Sequence, residues 1–133
     1  MSMIHWKNDY SINIREMDEQ HKKWVGFIND LYEAKLDKKD IIFELLDDVL
    51  DYTETHFTKE EELMKQHGFD EYAEHKAIHD SLIKEVSALY KSSGATSEEL
   101  PTKVLRLLNN WLVDHILKVD KKYGVYLNSK GIT

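Results

Sequence analysis

The chain of 133 residues contains no cysteine. This absence excludes disulfide bonds, thiolate nucleophiles, iron–sulfur clusters and zinc sites with cysteine ligands. Proline occurs once and glycine five times, so few residues interrupt regular secondary structure. The length suits one compact unit, and we predict a single domain spanning residues 1–133.

Basic charge is also in deficit, because 18 lysine and arginine residues face 25 aspartate and glutamate residues, a formal net charge of −7. A phosphate-binding surface needs an excess of basic side chains, so this balance argues against nucleic acid and against a polybasic membrane-binding patch. No apolar run approaches the ~20 residues that cross a bilayer. The first residues lack the regions of a signal peptide. We therefore predict a cytoplasmic protein without membrane insertion.

Apolar residues at three- and four-residue steps predict four helices. We place Gly68 and Gly124 just after two of the helix ends, because glycine readily takes the left-handed conformation. Short connections favour an all-α fold, an up-down-up-down antiparallel four-helix bundle. Residues 1–17 lack helical spacing and are interpreted as an N-terminal arm on the bundle, and residues 92–97 as a loop. The approximate helix bounds are 18–36, 40–67, 70–91 and 101–123.

The inward-facing stripes of these helices contain ionisable residues, which destabilise a fold when they are buried without partners. A lone histidine on an apolar face is usually an ordinary core residue, but seven such groups on four stripes favour a shared metal site. His5 and His67 lie off the stripes and are not assigned as ligands. The seven candidates are His21, His56, Glu60, His75, His79, His115 and Asp120.

The spacing along each helix lets these side chains converge. Residues four apart differ by about 40° in direction, so both can face one centre. His115 and Asp120 are five apart, or about 140°, so Asp120 reaches the centre from a neighbouring stripe or the helix widens locally. Glu61 and Glu62 turn away from Glu60 by about 100° and 200°, and we interpret them as solvent-facing. The four-residue relation holds for His56 with Glu60 and for His75 with His79.

Imidazole and carboxylate ligands without thiolate suit iron, manganese or zinc. Seven ligands are too many for one tetrahedral or octahedral ion. They suit two ions that share bridging carboxylates and a solvent-derived oxygen, ~3.5–4 Å apart. The alternative is a metal-free structural bundle, which leaves the buried groups without partners.

The order His, His-x-x-x-Glu, His-x-x-x-His, His-x-x-x-x-Asp resembles the hemerythrin family, specifically its single-domain bacterial form, the bacteriohemerythrins. The resemblance covers essentially the whole chain, and the five-residue spacing to Asp120 is the family's own. The local contexts that agree are Met-Asp-Glu-Gln-His at 17–21, His-Phe-x-x-Glu-Glu-x-x-Met at 56–64 and Trp-Leu-x-x-His-Ile-x-x-x-Asp at 111–120.

The resemblance implies reversible dioxygen binding by an oxygen carrier, store or supplier, and it implies that the protein is not an enzyme. It implies two iron ions, ferrous or ferric, with an oxo or hydroxo bridge. One iron is then held by His75, His79 and His115, the other by His21 and His56, and both by Glu60 and Asp120. Dioxygen takes the open position of the two-histidine iron, in a pocket that must stay dry.

The resemblance also implies the residues that line this oxygen pocket, although each of them suits ordinary core packing equally well. They are Trp24, Phe57, Trp111, Leu112 and Ile116.

Two other function classes stay open at this point. One is an oxygen or redox sensor that acts through a partner protein, and the length of a single domain argues against it. The other is a di-iron redox enzyme. Ferritin-like oxidases use Glu-x-x-His pairs, and no histidine here has a glutamate three residues before it. The hemerythrin-like iron–sulfur repair proteins lack the aspartate motif, so Asp120 argues against them. The sequence indicates no particular protein partner.

Overall fold

The computed structural model describes residues 4–37, 41–94 and 96–133, apart from the side chains of residues 36 and 37. A π-helical segment, Ile116–Asp120, follows α4 directly and continues into α5. These three pieces form the fourth long helix of an up-down-up-down four-helix bundle, which confirms the predicted fold. No strand occurs within the described ranges. The helices are α1 Arg15–Asp37, α2 Ile42–Gln66, α3 Tyr72–Ser93, α4 Leu100–His115 and α5 Lys121–Ser129.

Helix α1 shows why the sequence folds in this way. Its inner residues follow each other by four, three, four and three positions, the period of one helix face. All of them are buried, and the four apolar ones pack in one core with apolar residues of the other helices. Removing this stripe from water is the main stabilising contribution of the helix. The stripe consists of Met17, His21, Trp24, Ile28 and Leu31.

Helix α1 begins at Arg15, three residues before the predicted start, so the last part of the predicted arm is helical. Ile14 is buried like Met17, and its carbonyl accepts the backbone N–H of Asp18 at 2.9 Å. Asn13 precedes the helix with a φ of 59°, a left-handed conformation that asparagine tolerates better than most residues. The buried stripe therefore continues by one three-residue step from Met17 to Ile14, just before α1.

The ends of α2 and α3 also differ from the predicted bounds. Helix α2 ends at Gln66, and Gly68 follows with a φ of 68°. The predicted start of this helix, Asp40, lies outside the described residues. Helix α3 begins at Tyr72, two residues after the predicted start, because the backbone N–H of Tyr72 bonds to the carbonyl of Phe69 in a turn.

Helix α3 also ends later than predicted. It continues through residues 92 and 93, which were predicted as loop, and it ends at Gly94 with a φ of 87°. Of the predicted loop, residue 95 lies outside the described ranges.

The described part of the arm, residues 4–14, packs on the bundle as predicted. The side chain of Asn29 on α1 bonds to both the N–H and the carbonyl of Ile4, at 2.9 and 2.8 Å. The carboxylate of Asp18 accepts the N–H of Ile12 at 2.8 Å and the hydroxyl of Ser11. Ile12 is buried, so this backbone is anchored by hydrogen bonds and by apolar contact.

Gly124 was predicted to end the fourth helix, and this was wrong. It lies inside α5, which continues to Ser129. A Cβ atom at this position would lie only 2.6 Å from the carbonyl oxygen of Ile12. Glycine is present because the arm crosses the helix here, so the residue serves a close approach of two backbones.

In the part of the chain that the structure describes, no helix combines the length and apolarity needed to cross a membrane.

We expect Gly124→Ala to lower the free energy of unfolding by about 1–3 kcal/mol, because the new methyl group forces the arm away from α5. Gly26→Ala is the matched control. Gly26 lies in α1, and a Cβ atom there would meet nothing within 4 Å, so alanine raises the free energy by about 0.5–1 kcal/mol. Urea unfolding of both variants measures the difference. Equal stability of the two variants would contradict the role of the arm crossing.

Candidate metal centre

The structure brings all seven predicted ligands together in the middle of the bundle. Each is at most 4% exposed. They come from every long helix: His21 from α1, two residues from α2, two from α3, and two from the fourth helix. Such a cluster of imidazoles and carboxylates in an apolar core needs strong mutual or metal contacts.

The fourth helix widens locally to bring Asp120 to the cluster. The segment Ile116–Asp120 is π-helical and begins directly after His115. A π-helix bonds residue i to residue i+5, so residues five apart face the same side as residues four apart do in an α-helix. The second of the two alternatives for Asp120 is therefore the one observed. His115 and Asp120 end up in contact, with Nε2 to Oδ1 at 3.0 Å.

Glu60 divides its two oxygens between two groups of histidines. Its Oε1 lies 3.0 Å from the Nε2 atoms of both His75 and His79. Its Oε2 lies 3.1 Å from Nε2 of His56 and 3.6 Å from Nε2 of His21. One oxygen thus faces a pair on α3, and the other faces a pair on α1 and α2.

Asp120 repeats this division. Its Oδ1 lies 3.1 Å from Nε2 of His75 and 3.0 Å from Nε2 of His115. Its Oδ2 lies 3.1 Å from Nε2 of His21. The two carboxylates therefore stand between a three-histidine group (His75, His79, His115) and a two-histidine group (His21, His56).

The donor atoms of the cluster fit metal ions. Several of them have no hydrogen-bond partner among the described residues, including Nε2 of four histidines and both oxygens of Asp120. Two sets lie close enough for a shared ion: Glu60 and Asp120 with the three-histidine group, and Glu60 with the two-histidine group. Neighbouring ligands of one ion with bonds of ~2.1 Å lie ~3.0 Å apart, and the observed separations are of this size.

Charges within the cluster shift the pKa values of its members. Burial lowers the pKa of His21 and His75, but their carboxylate partners outweigh it and raise the pKa of each to about 9. Burial opposes ionisation of Glu60 and Asp120, but the surrounding histidines hold the pKa of both carboxyls below the usual range. The carboxylates are therefore ionised at neutral pH and available as metal ligands.

Tyr123 also touches the cluster, a contact that no sequence pattern predicted. It lies on α5 one turn after Asp120, fully buried, and donates its hydroxyl to Oε2 of Glu60 at 2.7 Å. Burial, together with the nearby negative charge of Glu60, raises the pKa of this phenol well above its usual value. Tyr123 thus stays protonated as a donor. The three-residue spacing between Asp120 and Tyr123 is the sequence feature that could have predicted this contact with the cluster.

Two further residues contact the outer nitrogens of the cluster histidines. Gln20 places Oε1 2.7 Å from Nδ1 of His56. Glu61 places Oε2 2.8 Å from Nδ1 of His79. The interpretation of Glu61 as solvent-facing was wrong, because the 100° turn from Glu60 directs it towards α3; its side chain is 18% exposed. Glu62 is exposed, as predicted.

Aromatic rings cover one side of the histidines. Phe57 stacks on His79 with centroids 3.8 Å apart and planes within 3°. Trp111 stacks on His115 at 4.0 Å and 16°. Trp24 lies 5.3 Å from His56 and contacts both other rings, at 5.6 Å from Phe57 and 6.1 Å from Trp111.

Leu112 and Ile116 stand on either side of His115 in sequence, and both are buried in the core. The structure thus places the predicted pocket residues in an apolar environment around the cluster. Phe57 and Trp111 lie against the three-histidine group, whereas Trp24 lies against the two-histidine group.

A family model described as the hemerythrin HHE cation binding domain matches residues 13–127, which include all seven clustered residues. The chain belongs to the hemerythrin family. This membership agrees with the buried cluster, because the family is described by a cation-binding domain.

Relatives within the family cover nearly the full chain. A bacteriohemerythrin of Stenotrophomonas maltophilia (strain R551-3) is 34% identical over 125 residues, 93% of this chain and 81% of the relative. A bacteriohemerythrin of Methylococcus capsulatus (strain Bath) is 34% identical over 131 residues, 97% and 100% of the two chains. The similarity to hemerythrins therefore extends over the arm and all long helices.

Crystal structures of hemerythrin share the fold. The wild-type protein superposes with a TM-score of 0.77 at 32% identity, covering 91% of this chain and 95% of the other. A leucine-to-alanine mutant of hemerythrin gives a TM-score of 0.79 at 31% identity, covering 93% and 96%.

We expect metal uptake to release protons and to strengthen with pH. In the metal-free hemerythrin-like cluster, His21 and His75 lose their protons near pH 9, so a metal ion must displace those protons below that pH. Apparent affinity should therefore rise steeply from pH 6.5 towards 9 and then level off. Calorimetric titration with Zn²⁺ in buffers of different ionisation enthalpy counts the protons, and an affinity independent of pH would contradict this.

The stability of the metal-free protein should change in the opposite direction. The folded-state pKa of about 9 exceeds the value of 6.5 for an unperturbed histidine, so these two groups stabilise the fold fully below pH 6.5. This contribution disappears as the pH rises through 9. Urea unfolding at a series of pH values, with chelator present, measures the trend.

Proposed function

We propose that this chain binds dioxygen reversibly at a non-haem di-iron centre and acts as an oxygen carrier, store or supplier. One observation carries the proposal: each of two buried carboxylates divides its oxygens between a group of three histidines and a group of two. Membership of the hemerythrin family supports it. We further propose that residues 1–133 form one hemerythrin-like domain, that it is a binding protein and not an enzyme, and that it acts in the cytoplasm.

The seven clustered residues are the proposed iron ligands. His75, His79 and His115 would hold one iron, His21 and His56 would hold the other, and Glu60 and Asp120 would contribute an oxygen to each. When bound, the iron pair supplies electrons that dioxygen takes up on binding and returns on release. Three imidazoles against two make the two positions unequal, so the two-histidine side is the one that would accept an external ligand.

The apolar residues around the cluster exclude water. Reversible binding needs a dry site, because water and protons promote loss of the reduced ligand. Trp24 lies against His56 of the two-histidine group. Its contacts with Phe57 and Trp111 support one continuous wall of three aromatic rings beside the cluster. Ile116 and Leu112 complete the proposed wall from the fourth helix, where both are buried.

The function is tested with the ferrous protein prepared without oxygen. It should be colourless, turn pink in air, and return to its first spectrum when oxygen is removed by vacuum, over repeated cycles. Irreversible bleaching to the ferric state within seconds would instead favour a sensor or a redox enzyme. Failure to take up two irons per chain would contradict the di-iron centre.

We expect His79→Ala to lose at least one iron per chain and to lower the thermal unfolding midpoint of the iron-loaded protein, because metal binding contributes folding free energy. His5→Ala is the matched control, since His5 is exposed and lies in the arm. Iron content by elemental analysis is the measurement. If His79→Ala retained two irons, the assignment of this ligand would be wrong.

We expect Leu112→Ala to accelerate autoxidation of the oxygenated protein, because the cavity left by a buried leucine admits water next to the centre. The truncation also destabilises the fold, by about 2–5 kcal/mol. Leu31→Ala controls for this, since Leu31 is equally buried but lies ten residues, or ~15 Å, along α1 from His21. Spectral decay in air is compared for the two variants, and equal rates would refute the pocket role of Leu112.

A further inference from the structure

The outer nitrogens of two cluster histidines bond to partners of different chemistry. On the three-histidine side, Nδ1 of His79 donates to the carboxylate of Glu61 at 2.8 Å. On the two-histidine side, Nδ1 of His56 donates to the amide oxygen of Gln20 at 2.7 Å. Among the described residues, Nδ1 of His21, His75 and His115 has no hydrogen-bond partner. Each half of the cluster thus has one partnered imidazole. The acceptor is a charged carboxylate on the three-histidine side and a neutral amide on the two-histidine side.

A hydrogen-bond acceptor at Nδ1 determines which ring nitrogen carries the proton and which can bind a metal ion. A carboxylate only accepts hydrogen bonds, so Nδ1 of His79 carries a proton, and in the neutral imidazole Nε2 keeps the lone pair that can bind a metal ion. That lone pair is directed into the cluster, where Nε2 lies 3.0 Å from Oε1 of Glu60. A negatively charged acceptor also makes the imidazole a stronger electron donor than a neutral amide does.

The position of Glu61 suits this role. It follows Glu60 on α2, so one residue faces the cluster while the next reaches the far side of His79 on α3. Lys76 lies 4.0 Å from Oε1 of Glu61, and it also bonds to Asp80 at 3.0 Å. Phe57 stacks on the face of His79 and holds the ring plane. The hydrogen bond then fixes the remaining rotation of the ring within that plane.

We propose that Glu61 is a positioning residue that strengthens His79 as a metal ligand, and that the contrast between Glu61 and Gln20 makes the two halves of the centre electronically unequal. The carboxylate favours the more highly charged metal ion on the three-histidine side, away from the proposed oxygen position. This inference rests on the proposed di-iron centre.

The test uses Zn²⁺, which has no redox chemistry, and compares variants of the full chain by competition with a chromophoric chelator. Glu61→Leu removes the acceptor and should weaken binding of the ion that the three-histidine group holds about 10- to 100-fold. Glu61→Gln keeps an acceptor oxygen but removes the charge, so its loss should be smaller and in the same direction. Glu62→Gln is the matched control, since this neighbouring side chain is exposed.

A second arm separates electronic tuning from a structural role. In the iron-loaded protein, Glu61→Gln should raise the midpoint potential and Gln20→Glu should lower it, because each change alters the charge behind one imidazole. A purely structural role of Glu61 would lower stability without moving the potential. The potentials are measured by spectroelectrochemical titration.

These experiments distinguish failure of the proposed di-iron centre from failure of the proposed role of Glu61. Wild-type protein that takes up no pair of metal ions refutes the centre itself. Wild-type protein that takes up two ions, with Glu61→Gln and Glu61→Leu binding Zn²⁺ as tightly as Glu62→Gln, overturns only the role of Glu61. An unchanged potential in both Glu61→Gln and Gln20→Glu overturns the electronic contrast.

Discussion

Two negative carboxylates in the middle of the bundle hold five imidazole Nε2 atoms at 3.0–3.6 Å, and the surrounding structure depends on this arrangement. Buried charges of this kind destabilise a fold unless each has a partner. Here the partners come from all the long helices, so no pair of helices can satisfy the cluster by itself. The same convergence that makes the site available to metal ions therefore fixes how the four helices meet.

The sequence predicted the members of the cluster on α1, α2 and α3 because helical periodicity indicates which residues face inward. His56 with Glu60 and His75 with His79 follow from the four-residue relation. Asp120 did not follow from the α-helical period, since two geometries were compatible with its five-residue spacing. The structure shows which geometry applies: the segment Ile116–Asp120 is π-helical, a local widening that the spacing of apolar residues does not predict.

Contacts between helices were the part that the sequence could not reveal. Gln20, Glu61 and Tyr123 act across helix pairs, on His56, His79 and Glu60 respectively. Their positions on their own helices carry no distinguishing signal, because Gln, Glu and Tyr are common at partly buried helix positions. Gly124 is similar: a glycine near a predicted helix end suggests termination, and only the crossing of Ile12 reveals another reason for it.

The π-helical segment has a consequence for how this chain can vary in length. It contains one residue more than an α-helix would need between His115 and the side chain that next faces the cluster. Deleting one residue from 116–119 would restore the α-helical period and keep everything beyond it on the same face, whereas five residues in an α-helix would rotate everything beyond them by about 100°. With that rotation, Tyr123 would leave Glu60, and Gly124 would no longer lie beneath the arm. The π-helical segment therefore sets the register of the fourth helix from the cluster to its C-terminal end.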